Sequence, residues 1–134
     1  MPITYTLEPD LTAEEFQSVL NASTLGERRP VDDLDRLDRM LRAAQIIATA
    51  RDGEKLVGVS RAITDFAWVC YLSDLAVDVS YQHQGIGKQL ITETQTACSP
   101  EAMLILLAAP AAETYYPKIG MDHMPSCWAL KRER

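Results

Sequence analysis

The sequence predicts an α+β protein: a mixed sheet with a largely antiparallel first half and a strand–helix–strand crossover in its second half, flanked by about four helices. Three observations carry this expectation. The β-rich runs Ile46–Ala50 and Leu56–Ile63 are joined around Asp52-Gly53, a tight hairpin signal. A further β-rich run from about Trp68 to Val77 leads into a loop with two glycines and then a stretch of helical period starting near Ile86. After that helix, Met103–Leu107 is short and wholly apolar, which is the pattern of a strand buried on both faces.

The remaining elements come in chain order. Ile3, Tyr5 and Leu7 alternate with Thr4, Thr6 and Glu8, the period of a half-buried strand. Thr12 with Glu15 forms a capping box, and Leu11 with Phe16 occupies the positions of a hydrophobic staple. A helix therefore starts there, with Phe16, Val19 and Leu20 facing inward. Beyond Gly26, Pro30 stands near the start of a second helix, on which Leu34, Leu37, Leu41 and Ala44 recur on one side against a charged surface. The third helix carries Ile86, Leu90, Ile91, Thr94 and Ala97 on one face and stops at Ser99-Pro100. A brief fourth helix ends near Gly120, and Trp128–Lys131 supplies a last strand.

At 134 residues and 47% hydrophobic content, the chain buries one core and is too short for two full domains, so residues 1–134 are expected to form a single domain. There is no low-complexity run, repeat or linker-like stretch. The first residues lack a basic region followed by an apolar core, and no apolar run approaches a membrane span, so a cytoplasmic protein is expected. Cys70, Cys98 and Cys127 are widely spaced and odd in number, which suits free thiols better than a disulfide framework or metal knuckles; no metal is expected. Nineteen acidic against thirteen basic residues give a net charge of −6, which disfavours a nucleic-acid surface.

Chemistry concentrates at Gln82-His83-Gln84-Gly85-Ile86-Gly87-Lys88. A strand, a glycine loop and an amphipathic helix in that order aim free backbone N–H groups and the helix dipole at an anion, phosphate above all. Gly85 permits a positive φ or a close backbone approach, and Gly87 removes a Cβ where the helix would crowd ligand or strand. The loop is not a P-loop, having no Gly-Lys-Ser/Thr after four spacers, and it lacks the third glycine of a dinucleotide fingerprint.

The segment Gln82–Gly87 resembles the central signature of the GNAT superfamily of acetyl-CoA-dependent N-acetyltransferases, Gln/Arg-x-x-Gly-x-Gly/Ala after the fourth strand. Its flanks, Tyr71–Asp78 and Lys88–Ile91, resemble that family too, and Tyr115-Tyr116-Pro117-Lys118-Ile119-Gly120-Met121 is similar to its Phe-Tyr-x-x-Leu-Gly-Phe segment. The resemblance implies a sheet whose fourth and fifth strands splay into a cleft for acetyl-CoA. Leu75, Ala76 and Val77 would then offer backbone groups to the pantetheine, and Gln82, His83, Gln84, Gly85, Ile86, Gly87 and Lys88 would hold the pyrophosphate.

It further implies that Tyr116 occupies the place of the tyrosine that protonates the departing sulfur, a role a phenol of ordinary pKa about 10 can fill at neutral pH. Asp74 is the candidate general base, because partial burial on the fourth strand raises a carboxylate's pKa; pairing with an arginine or lysine is the competing role. Two departures stand out. Tyr71 replaces the glutamate of the histone-modifying branch, and Ala109 replaces an asparagine that contacts pantetheine in many relatives. The acceptor would meet the connection Asn21–Pro30, where Glu27, Arg28 and Arg29 are the polar groups. The implied activity is acetyl transfer to a primary amine of a small molecule or peptide, by direct attack in a ternary complex, without nucleic acid or membrane and with a homodimer left open. A non-catalytic acyl-CoA sensor is the alternative.

Overall fold

Hairpin and crossover both form where the residue pattern places them. In the computed structural model, which describes residues 2–134, five strands make one sheet in the order β1-β2-β3-β4-β5. They are β1 (Ile3–Leu7), β2 (Ile46–Asp52), β3 (Lys55–Thr64), β4 (Val69–Val77) and β5 (Met103–Ile105). β1 to β4 pair antiparallel, and β5 alone lies parallel, beside β4. Four helices flank the sheet: α1 (Ala13–Ala22), α2 (Leu34–Ala43), α3 (Ile86–Ala97) and the one-turn α4 (Tyr115–Lys118).

Each helix start has a local cause. Thr12 caps α1 by accepting from the Glu15 N–H at 3.2 Å, while Leu11 and Phe16 are buried together beneath it. Asp33, not Pro30, caps α2: its carboxylate accepts from the Arg36 N–H at 3.0 Å, and Pro30 belongs to the turn before it. Alternation along β2 divides the core. Ile47 packs with Phe16, Leu20, Leu37 and Leu41 under α1 and α2. Ala48 and Ala50 point the other way, toward Ile86 and Leu90 of α3. The buried hydroxyls of Ser60 and Thr94, 2.6 Å apart, fasten α3 to β3.

The feature that shapes the site is a bulge in β4. Arg61 pairs with Asp74 and Ala62 with Leu72, so Ser73 is an extra residue on β4. A bulge bends its strand and swaps the faces onto which the later residues project. Cys70 and Leu72 therefore lie against Ile91 of α3, but so do Leu75 and Val77 against Ile86 and Leu90, while Ala76 turns to the α1 side. The ladder between β4 and β5 lasts only from Val69–Tyr71 to Met103–Ile105. Beyond it the two strands diverge, and Leu72–Val77 has no strand partner on that side.

Two sequence expectations are corrected. The strand over Trp128–Lys131 does not form: residues 121–134 contain neither helix nor strand, and Trp128 and Leu130 are 93% and 104% exposed. A strand needs a partner, and this stretch pairs with none among the described residues. Nor is β5 buried on both faces. It is three residues long and stands at the sheet's edge, leaving Met103 54% exposed.

Candidate active site

Asp78 and Tyr81 anchor the glycine loop before it begins. The Asp78 N–H donates to the Val57 carbonyl at 2.8 Å, and its carboxylate accepts from Ser80 N–H at 2.8 Å and lies 3.6 Å from Lys55 Nζ. Tyr81 donates its hydroxyl to Asp52 at 2.7 Å, which raises the phenol's pKa above its usual value. The entry to the loop is thus tied to the β2–β3 hairpin, a support that no local sequence signal announces.

Within the loop, His83 and Gly85 both have positive φ, 66° and 80°. Residues in that left-handed region curl neighbouring N–H groups into a concavity suited to anions. Gly85 is the N-cap of α3 and carries no side-chain cap, so the first N–H groups of the helix remain available. Gln82 is exposed as well, and its side-chain amide donates to the Val77 carbonyl at 3.3 Å, closing the loop on the strand end. Gln84, Lys88 and His83 are exposed. Gly87 has a different reason to be glycine, because a Cβ there would lie 3.2 Å from the Tyr115 hydroxyl.

Tyr115 and Tyr116 part ways. Their rings meet edge to face, with centroids 5.3 Å apart and planes at 72°. Tyr115 reaches the start of α3, its hydroxyl beside Gly87, and burial is the main reason its pKa is raised. Tyr116 lines the gap between β4 and β5, and burial is the main reason its pKa is raised. Ile119 and Met121 both donate their N–H to the Tyr116 carbonyl, which fixes the turn after it.

The gap forms a narrow cleft. β4 contributes Leu72, Ser73 and Leu75; the chain after β5 contributes Leu106, Leu107 and Ala109; Leu25 and Arg29 reach in from the α1–α2 connection. Ala76 points its side chain into the core at 2% exposure, so only its backbone can meet a ligand.

Asp74 is fully buried, with one carboxylate oxygen accepting from Arg29 Nε and the other from Arg61 Nε. Ser73 is held by the same pair: Arg29 donates to its carbonyl at 2.8 Å and Arg61 to its hydroxyl at 3.0 Å. Arg61 also donates to the Met40 carbonyl of α2 at 3.2 Å. One carboxylate and two guanidinium groups thus brace the bulge against α2 and the α1–α2 connection. Arg29 spends its donors inside the protein, while Glu27 and Arg28 face solvent.

Residues 9–126 match the profile of the acetyltransferase (GNAT) domain, and the chain belongs to the GNAT family. A curated relative, the chloroplastic GCN5-related N-acetyltransferase 2 of Arabidopsis thaliana, is 32% identical over 81 residues, 55% of this chain; the match spans 31% of that longer protein. Among solved structures, a GNAT-family acetyltransferase of Streptococcus pneumoniae superposes with a TM-score of 0.77 at 23% identity, covering 99% of this chain and 98% of its own. A probable acetyltransferase of Staphylococcus aureus gives 0.78 at 22% identity, covering 99% and 100%. An aminoglycoside N-acetyltransferase in complex with CoA gives 0.73 at 15% identity, covering 99% and 96%. These likenesses extend the fold agreement over the whole chain.

Proposed function

We propose that this acetyltransferase uses acetyl-CoA as donor and a primary amine, carried by a small molecule ahead of a peptide, as acceptor. The observation that carries the reading is the conjunction of an unpaired β4 edge, Leu72–Val77, with a glycine-capped helix start directly beyond it. An extended chain of amides can add to such an edge as a strand would, and a pyrophosphate at its end meets the N–H groups of Gly85, Ile86 and Gly87. Leu75, Ala76 and Val77 hold the pantetheine through their backbones, Gln82 shapes the loop, and His83, Gln84 and Lys88 line its outer rim.

The amine nitrogen attacks the thioester carbonyl, the carbon–sulfur bond breaks, and Tyr116 gives its proton to the departing thiolate. Burial keeps the Tyr116 phenol protonated at neutral pH, the state the role requires. Asp74 does not suit the part of base. Both its oxygens are occupied and no surface remains to receive a proton, so we assign it to positioning the bulge. The amine is then deprotonated by solvent reached through the cleft mouth. With no helix among the described residues long and apolar enough to cross a membrane, action in the cytoplasm completes the proposal.

A thiol-release assay over a panel of small amines, run beside a thermal-shift titration, tests it. Acetyl-CoA at about 100 times its Kd stabilises the fold by roughly 2.7 kcal/mol, and NAD and ATP do much less. Equal shifts from all three nucleotides contradict the site; tight acetyl-CoA binding without turnover of any amine identifies a sensor instead.

A further inference from the structure

Arg29 is the one charged side chain among the described residues that line the cleft. The donors it uses inside the protein are three of the five N–H groups a guanidinium carries: Nε to Asp74, Nη2 to the Ser73 carbonyl and Nη1 to the Arg28 carbonyl. The other two, one on each Nη, have no partner among the described residues. The Arg29 side chain is 22% exposed, against 7% for Arg61 and 0% for Asp74, so the triad is open to the cleft only at its Arg29 end.

Charge points the same way. One Asp74 carboxylate lies between two guanidinium groups, which leaves the triad with a net charge of +1, and its accessible member borders the cleft. No carboxylate lines the cleft among the described residues, and that of Asp74 has both oxygens occupied. Much of the remaining wall is leucine: Leu25, Leu72, Leu75, Leu106 and Leu107. A polycationic acceptor finds no counter-charge on such a wall and meets a like charge. An oxyanion finds a partly desolvated cation, where an ion pair is stronger than in open water.

The backbone around Arg29 is held on both sides before any acceptor arrives. Gly26 sits so close to α1 that a Cβ on it would lie 2.5 Å from Asn21 Oδ1. The Val31 N–H donates to the Arg29 carbonyl at 2.8 Å, and Gln17 of α1 donates to the Val31 carbonyl at 2.6 Å. A cation fixed in this way loses little freedom when it binds an anion.

We propose that Arg29 selects the acceptor: a primary amine that also carries a carboxylate and an apolar side group, of the amino-acid kind. The carboxylate meets the free Nη donors of Arg29, and the side group lies among the cleft leucines. This rests on the reading of the cleft as the site of acetyl transfer. Because the whole chain carries −6, the attraction is local. It is screened beyond about 8 Å at physiological salt and sets discrimination more than encounter rate.

Steady-state kinetics of the full chain test the selection with leucine, methionine and phenylalanine, each against its amide and its decarboxylated amine. In the wild type kcat/KM favours the carboxylate by about 10²-fold, below the discrimination of fully buried polar sites because Arg29 is partly exposed. The amide's less basic nitrogen is neutral in larger fraction, so amine basicity alone predicts the opposite order. Arg29→Gln brings the ratio close to one, and Arg29→Lys, which keeps the charge and loses the fork, retains part of it. Each ratio compares two substrates on one preparation, so partial unfolding of a variant cancels. A thermal-shift titration of the CoA-bound wild type gives a second readout: leucine raises Tm and its decarboxylated amine does not. Equal kcat/KM for amino acid and amide in the wild type, a ratio unchanged in Arg29→Gln, or preferred turnover of O-phosphoethanolamine or neamine would each overturn the proposal. If acetyl-CoA stabilises the fold and no amine is turned over, the enzyme reading falls; a leucine-dependent shift lost in Arg29→Gln then upholds the carboxylate site, and no shift removes it as well.

Discussion

Two adjacent tyrosines on one short turn divide the labour that a single aromatic could not. Tyr116 faces the β4–β5 gap with its pKa raised by burial, so Tyr116→Phe should lower kcat by about 10²-fold while leaving acetyl-CoA affinity nearly unchanged. Because the shift is upward, the phenol stays protonated to above pH ~10, and the pH–rate profile of the wild type should show no alkaline fall below that point from this group. A profile falling near neutrality, or full kcat in the variant, assigns the proton to another donor. Tyr115 stands elsewhere, its hydroxyl beside Gly87 at the start of α3. Tyr115→Phe removes a hydroxyl beside that glycine and keeps the ring, so calorimetry should find acetyl-CoA binding nearly unchanged, with kcat preserved.

Between elements, the two loop glycines should fail differently. Gly85 has φ 80° with nothing within 4 Å of an added Cβ, so Gly85→Ala costs about 1 kcal/mol of backbone strain. Gly87→Ala instead meets the Tyr115 hydroxyl at 3.2 Å. Adding Tyr115→Phe should therefore restore acetyl-CoA affinity to Gly87→Ala and not to Gly85→Ala, a difference titration calorimetry resolves. The triad at the bulge is a second junction. Asp74→Asn leaves Arg61, 7% exposed, and Arg29, 22% exposed, without their counter-charge. The loss should be on the order of 3 kcal/mol in urea denaturation; a loss under about 1 kcal/mol would mean that the bulge holds without it. Elements of this kind separate what sequence discloses from what it hides. The cap at Thr12, the Asp52-Gly53 turn and the glycine loop rest on residues within six positions of one another and were readable. Arg29, Arg61 and Asp74 meet across 45 and 13 positions, and nothing at those spacings marks the encounter. Trp128–Lys131 was read as a strand, but a largely apolar run does not by itself provide a neighbour to pair with.

Across the whole molecule, acid should loosen the first half of the sheet early. Arg51 of β2 bonds Glu8 beyond β1 and Glu15 of α1, and its hydrogen bonds hold the Glu8 carboxyl below its ordinary value. A folded pKa below the unfolded one gives stability that is present above the unfolded value and lost as pH falls through the folded one. Urea midpoints should therefore drop as pH falls below the ordinary carboxylate range, and Glu8→Gln should flatten part of that drop; an unchanged slope would remove Glu8 from the account. The short β4–β5 ladder has a different consequence. Only Val69–Tyr71 and Met103–Ile105 join β5 to the rest of the sheet, whereas β2 and β3 are bonded on both sides. Amide hydrogen exchange should therefore divide the chain into a slowly exchanging four-strand block and a rapidly exchanging flap of β5 and α4 that opens below the global unfolding energy. A molecule lying in the gap touches both parts, and its arrival should show as slowed exchange in residues 103–121.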